Sequence, residues 1–293
     1  WGTFITTPIV TNEKANINIQ TEIENFGEKD SPIRIQTTIF NKKGEPLTSV
    51  SENVFSTKSD TLIVNQNLEV LNPELWNLKT PYLYNAETKL FKNKKLIDTY
   101  NTRFGVRTIE YGSDFGFKLN GKKTRFQGVC LHHDLGPLGT AVNKRATERQ
   151  LEIMQSMGVN AIRTSHNPPS PEQVQLCDEM GLLIQIEAFD MWKKPKVENG
   201  YSKYFEEWHE RDLRDMIRAF RNNPSVVMWS IGNEILEQSD KKGGELANNL
   251  AMICKNEDPT RPITAGFNYY PAPIKNGLAS AIDLVGWNYK PRK

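Results

Sequence analysis

The sequence predicts a multidomain β + α/β protein, with an immunoglobulin-like β-sandwich over residues 1–108 and an incomplete TIM (β/α)8 barrel over residues 109–293. Two observations predict these classes. Apolar and polar residues alternate with a period of two through the first part, which is typical of half-buried strands. In the second part, short apolar runs alternate with segments of helical length, which is typical of β-α units around a parallel sheet.

The alternating part contains about seven short strands, the number that an immunoglobulin-like sandwich needs. A turn at residues 92–95 predicts a hairpin between the last two of them. We expect the apolar stripes to face the core, since exposing each branched side chain would forgo roughly 1.5–3 kcal/mol. The two clearest stripes are Ile17, Ile19 and Ile23, and then Ile33, Ile35 and Ile39.

Six strands and four helices are predicted in the second part. The strands are residues 125–130, 161–164, 182–187, 226–231, 263–265 and 284–287, and the helices are residues 147–157, 171–180, 205–220 and 242–256. Six units are fewer than the eight of a closed barrel. A doubly wound sheet is the structural alternative, but no G-x-G-x-x-G motif follows the first strand.

Charge and hydropathy exclude two classes of function. The 37 Lys and Arg residues nearly balance the 35 Asp and Glu residues, and they are scattered along the chain. A nucleic-acid binder normally needs a clustered basic excess. No apolar run approaches the roughly 18 residues that predict a membrane span. The chain starts at Trp1 without Met, so we expect an internal piece of a longer polypeptide, whose localisation stays open.

Polar and aromatic residues follow nearly every predicted barrel strand. Catalytic groups of such barrels lie at these carboxyl ends of the strands. Three of the four His residues of the chain are among them. The candidates are His132, His133 and Asp134, then Arg163 and His166, then Glu187, Asp190 and Trp192, then Asn233 and Glu234, and finally Trp287 and Tyr289.

Four motifs carry a resemblance to a known family. Residues 221–234, which end in Trp-Ser-Ile-Gly-Asn-Glu, resemble the acid/base signature of family 2 glycoside hydrolases, and residues 160–169 resemble the second signature of that family. Residues 103–107 resemble its junction between sandwich and barrel, and residues 128–133 its first barrel strand. The family includes β-galactosidases, β-glucuronidases and β-mannosidases.

The resemblance implies a retaining mechanism with two carboxyl groups about 5–5.5 Å apart. Glu234 would be the general acid and then the general base, and Asn233 would hold the 2-hydroxyl group of the sugar. Tyr289 matches the tyrosine that the family places beside its nucleophile. The family's second glutamate follows strand seven, and no acid of this chain ends a seventh strand. We therefore expect the nucleophile to lie outside the chain.

The remaining candidates have simpler alternatives. His132, His166 and Arg163 would bind sugar hydroxyl groups, but His166 could instead hold its turn, and Arg163 could pair with Glu187 or Glu234. A metal site at His132, His133 and Asp134 is disfavoured, because adjacent strand residues point to opposite faces. The last set of sugar-binding candidates comprises Glu187, Asp190, Trp192 and Trp287, the two Trp residues by stacking on the pyranose ring.

The sequence thus predicts a β-glycosidase that acts on terminal β-linked sugars, in a piece without its nucleophile. We favour a β-galactosidase over a β-glucuronidase because of the run from Cys130 to Asp134. A non-catalytic carbohydrate-binding or adhesion module is the alternative from another class. The expected partner is a β-linked oligosaccharide or glycoside, and no nucleic acid. No cofactor is required, while a cation near the site and a homo-oligomer stay open.

Overall fold

A computed structural model describes residues 2–289 of the chain, and it divides into two compact units. The first unit runs to Arg125 and includes the short segments Asp178–Gly181 and Arg221–Pro224, and the second contains the rest. The domain boundary after residue 108 stays a prediction. The first residue and the last four, which bear on the prediction of an internal piece, lie outside the described residues.

Seven strands of the first unit form two antiparallel sheets, in the orders β1-β2-β5 and β4-β3-β6-β7. This arrangement confirms the predicted sandwich, and β6 and β7 form the predicted hairpin. The strands are β1 (Thr3–Val10), β2 (Lys14–Glu24), β3 (Ser31–Phe40), β4 (Pro46–Ser56), β5 (Thr61–Leu71), β6 (Tyr84–Lys92) and β7 (Lys95–Phe104).

The sandwich core is built from the predicted apolar stripes. Ile17 and Ile19 of β2 are fully buried, and they share one core cluster with Ile39 of β3 and Phe104 of β7. Because β2 and β3 belong to different sheets, this cluster lies between the two sheets. The register predicted for the first stripe is therefore confirmed: a shift by one residue would turn these side chains to solvent.

A small antiparallel sheet follows the sandwich and was not predicted. It consists of β8 (Ile109–Gly112), β9 (Gly116–Leu119) and β10 (Lys122–Lys123), in the order β10-β9-β8. Strands of two to four residues offer too few alternating positions for the period-two pattern to stand out. Contacts place this sheet in the first unit.

The second unit is a parallel sheet of six strands in sequence order, which confirms the incomplete TIM barrel. None of the helices within residues 2–289 is long and apolar enough to cross a membrane. The strands are β11 (Gly128–Leu131), β12 (Ala161–Thr164), β13 (Leu183–Glu187), β14 (Val226–Asn233), β15 (Ile263–Phe267) and β16 (Leu284–Trp287). The helices are α1 (Lys144–Ser156), α2 (Pro171–Met180), α3 (Phe205–Phe220), α4 (Gly243–Glu257) and the short α5 (Ala272–Lys275).

Several element ends differ from the predicted ones. Helix α1 begins at Lys144 rather than at residue 147, because the side chain of Asn143 caps it by accepting a hydrogen bond from the Ala146 N–H. Strands β14 and β15 each extend two residues beyond their predicted ends, to Asn233 and Phe267. These extensions bring polar residues to the rim of the sheet, where the candidate site lies.

Candidate active site

The backbone at the end of β14 holds Glu234 in a left-handed conformation. Its φ angle is 47°, a region that costs a non-glycine residue about 1–2 kcal/mol. The peptide group before Glu234 is bound on both sides: the Glu234 N–H donates to the Gly266 carbonyl at 2.7 Å, and the Lys196 ammonium donates to the Asn233 carbonyl at 2.6 Å. These two hydrogen bonds stabilise the turn that projects the Glu234 side chain.

The carboxyl group of Glu234 accepts hydrogen bonds at both oxygens. The Asn288 amide donates to Oε1 at 2.7 Å, and the Asn268 amide donates to Oε2 at 2.8 Å. The negative charge of Glu234, together with its hydrogen bond to the exposed Tyr289 hydroxyl, raises the pKa of Tyr289. The predicted acid/base thus lies beside the predicted Tyr289, and both belong to one polar cluster.

A fully buried carboxylate, Glu187, lies at the centre of the rim. One of its oxygens accepts from Arg163 Nε at 2.9 Å and from the Ser230 hydroxyl at 2.8 Å, and the other lies 2.7 Å from His166 Nδ1. Burial by itself lowers the pKa of Arg163, but the charge and hydrogen bonds of Glu187 outweigh that effect, so the pKa is raised. The ion pair left open by the sequence therefore joins Arg163 to Glu187.

Arg163 also fixes the orientation of the Asn233 side chain. A guanidinium group can only donate, so the Asn233 atom that lies 2.8 Å from Arg163 Nη2 is the amide oxygen. The Asn233 NH2 group consequently faces Asp190, to which it donates at 3.2 Å. Lys196 pairs with the same Asp190 oxygen at 2.9 Å. The hydrogen-bonded pair of Asn233 and Asp190 thus has a cation at each end: Arg163 binds Asn233, and Lys196 binds Asp190.

The two rim histidines lie next to each other. The rings of His132 and His166 are 5.2 Å apart between centroids and meet edge to face, and His132 is exposed. His166 and Asp190 also line a cleft of about 530 Å³, a volume within the range of small-molecule sites. The structure therefore brings eight of the nine predicted site residues into one cluster, namely His132, Arg163, His166, Glu187, Asp190, Asn233, Glu234 and Tyr289.

The prediction that Trp192 stacks on the sugar is wrong. Its side chain is fully buried, and its indole N–H donates to the Ile231 carbonyl at 2.7 Å. Trp192 therefore packs against β14 in the protein interior and does not face the cleft. Trp287 is partly exposed, with its ring 5.4 Å from that of Tyr270, so its stacking role stays a prediction.

Metal-ligating residues do not cluster in the described part of the chain. Among residues 2–289, no group of three or more His, Cys, Asp and Glu side chains is arranged to hold a metal ion. His133 and Asp134 are exposed beside His132, and together with residues of the loop before α1 they line a small cavity of about 40 Å³.

Sequence reasoning missed three residues that bind Glu234 or its turn, namely Asn268, Asn288 and Lys196. Asn268 directly follows β15, which extends two residues beyond Ala265, where the sequence predicts that the strand ends. Lys196 comes from the loop after β13, and only the three-dimensional structure brings it back to Asn233. A fifth strand predicted two residues longer would have placed Asn268 at the rim. No sequence feature indicates the contact of Lys196 with Asn233.

A barrel sheet with a carboxyl group after its fourth strand, set among Asn, Arg and His side chains, is the arrangement expected of a glycoside hydrolase. Comparison with family profiles agrees: "Glycosyl hydrolases family 2" matches residues 2–107, and "Glycosyl hydrolases family 2, TIM barrel domain" matches residues 112–279. The chain belongs to glycosyl hydrolase family 2.

Three relatives show how the chain relates to known members. It is 40% identical to the β-galactosidase BoGH2A of Bacteroides ovatus, over 99% of this chain and 38% of that protein. A family 2 structure from Bacteroides cellulosilyticus matches with a TM-score of 0.95 and 37% identity, over 99% of this chain and 37% of that one. A Bacteroides uniformis β-glucuronidase, covalently bound to cyclophellitol-6-carboxylate aziridine, matches with a TM-score of 0.85 and 32% identity, over 98% and 36%. The chain thus spans less than two fifths of each of these relatives.

Proposed function

We propose that the chain is the sandwich and the first six barrel units of a longer retaining β-glycosidase, which removes terminal non-reducing β-linked sugars in carbohydrate catabolism. The supporting observation is Glu234 at the end of β14, with both carboxyl oxygens bound by amide groups. The lengths of the relatives support a longer protein.

Glu234 serves this mechanism as the acid and then as the base. In the first step a carboxylate from outside this chain attacks the anomeric carbon, while Glu234 gives its proton to the departing glycosidic oxygen. In the second step Glu234 takes a proton from water, whose oxygen attacks the anomeric carbon and releases the nucleophile. Asn233 holds the 2-hydroxyl group, and His132 and His166 offer donors and acceptors to the other hydroxyl groups.

The pairing of the rim cations favours a galactoside over a glucuronide. A glucuronide carries a carboxylate that needs a cationic partner. Arg163 and Lys196 already pair with Glu187 and Asp190. The β-glucuronidase remains the second candidate, since relatives of both kinds match, and an Asn-x-Lys element outside this chain would support it.

We expect the full-length protein to hydrolyse 4-nitrophenyl β-galactoside with a higher kcat/KM than 4-nitrophenyl β-glucuronide. Release of nitrophenol by the purified protein measures both values. The 293-residue chain alone, which serves as the control, should release none, because we place the attacking carboxylate outside it. The reverse preference would identify a β-glucuronidase. Failure to cleave either substrate would contradict the proposed function, and turnover by the short chain would place the nucleophile within it.

Replacing Lys196 by Met in the full-length protein should lower kcat about 10- to 150-fold, because a hydrogen bond from a charged donor contributes roughly 1.5–3 kcal/mol. The ammonium group holds the Asn233 carbonyl and thereby the turn that positions Glu234. Lys193→Met is the matched control, since Lys193 lies on the same loop as Lys196 and forms an exposed ion pair with Glu206 in the first turn of α3. Equal kcat values for the two variants would show that the turn does not need Lys196.

A further inference from the structure

Two amide side chains outside the predicted site form a chain of hydrogen bonds that ends at Glu234. Gln238, in the short 3-10 helix Leu236–Ser239 after β14, is almost fully buried. Its Nε2 donates to the Asn268 oxygen at 2.7 Å, and Asn268 Nδ2 donates to Glu234 Oε2 at 2.8 Å. The mechanism above uses neither residue.

The direction of this chain is set by the backbone. The Asn268 and Tyr269 N–H groups both point at one atom of Gln238, at 3.2 and 3.1 Å. A backbone N–H can only donate, so that atom is the Gln238 oxygen. The Gln238 NH2 group must then face Asn268 and bind its oxygen. Asn268 is left with only its own NH2 group to offer to Glu234.

We propose that Gln238 and Asn268 are positioning residues for the acid/base: Gln238 locks the Asn268 amide so that a donor, and never an acceptor, faces Glu234. This inference rests on the proposed function. An NH2 group stabilises the carboxylate that acts as base. It cannot accept the proton of the carboxylic acid, so the amide does not compete with the glycosidic oxygen for that proton.

The second amide partner of Glu234 follows the same rule. Asn288 turns its oxygen toward Arg163 Nη1 at 3.5 Å, so its NH2 group also faces Glu234. Neither amide partner of the carboxyl group therefore presents an acceptor.

Three isosteric amide-to-acid variants of the full-length protein test the proposal. Asn268→Asp places a carboxylate oxygen against Glu234. Gln238→Glu has the same effect indirectly, because its second oxygen can only accept and would turn the Asn268 amide around. Asn248→Asp adds the same charge at an exposed position of α4 and is the control. Each variant is assayed on a β-galactoside with a poor alkyl leaving group and on an activated dinitrophenyl β-galactoside.

In Asn268→Asp and Gln238→Glu, we expect kcat/KM on the alkyl substrate to fall at least about tenfold more than on the activated one. We expect no such difference in the control Asn248→Asp. Equal losses on the two substrates would show a merely structural role and overturn the proposal, as would unchanged kinetics. If Gln238→Glu does not fold because its carboxylate is buried, the half-buried Asn268→Asp decides alone.

Failure of the proposed function would be visible separately. In that case the unmutated protein cleaves neither β-galactosides nor β-glucuronides. Crystal structures at pH 9 then test the orientation of the Asn268 amide without turnover. Glu234 should stay in hydrogen-bond contact with Asn268 in the unmutated protein, and it should turn away from residue 268 in Asn268→Asp. A Glu234 side chain that keeps its place in Asn268→Asp would overturn the proposal that Gln238 and Asn268 position Glu234.

Discussion

Glu234→Gln in the full-length protein should lower kcat/KM for an alkyl β-galactoside by about 10²–10⁴-fold, the range that a general acid contributes. An alkoxide leaves poorly unless it is protonated, and the amide of a glutamine at residue 234 is far too weak an acid to protonate it. A dinitrophenolate leaves without protonation, so the first step on the activated substrate should be affected far less. Nitrophenol release and reducing-sugar assays on the two substrates measure the difference.

Glu245→Gln is the matched control for this prediction. Glu245 lies exposed in the first turn of α4, so the same isosteric change there should leave both rates unaltered. A loss of the same size on both substrates would indicate damage to binding or folding instead of to proton transfer. An active Glu234→Gln variant would show that another residue is the acid.

Repeating patterns made most of the fold predictable from the sequence. The period-two stripe of Ile17, Ile19 and Ile23 set the register of β2, because only one alignment buries all three side chains. Helix α2 began at Pro171 as predicted, since proline suits the first turn of a helix. The predicted rim residues came together because parallel strands deliver their carboxyl ends to one edge.

The unpredicted features depend on tertiary contacts. Trp192 follows a barrel strand, as a sugar-stacking residue would. Its burial depends on the fold, in which the indole N–H donates to the Ile231 carbonyl. Lys196 reaches Asn233 across 37 positions of the sequence, and Gln238 reaches Asn268 across 30. No local pattern encodes such pairs. The sequence therefore identified the residues that bear the chemistry better than those that orient them.

Glu187→Gln should lower the free energy of unfolding of the barrel unit by about 1.5–3 kcal/mol, because the partly exposed Arg163 loses the hydrogen bond to its buried, charged partner. The change preserves side-chain volume, so no cavity contributes to the loss. Chemical unfolding followed by the fluorescence of the buried Trp192 and Trp229 measures it. Glu206→Gln is the control: its ion pair with Lys193 is exposed, and such pairs contribute about 0–1 kcal/mol.

A double variant separates the structural from the functional part of this ion pair. Replacing Arg163 by Met together with Glu187 by Leu removes both charges, and apolar replacement of a whole buried pair is often neutral or stabilising. We therefore expect the unfolding free energy to return toward that of the unmutated protein. Turnover should stay low, since Asn233 and His166 both lose the partner that orients them. A double variant as unstable as Glu187→Gln would instead assign the stabilisation to the Ser230 and His166 contacts of Glu187.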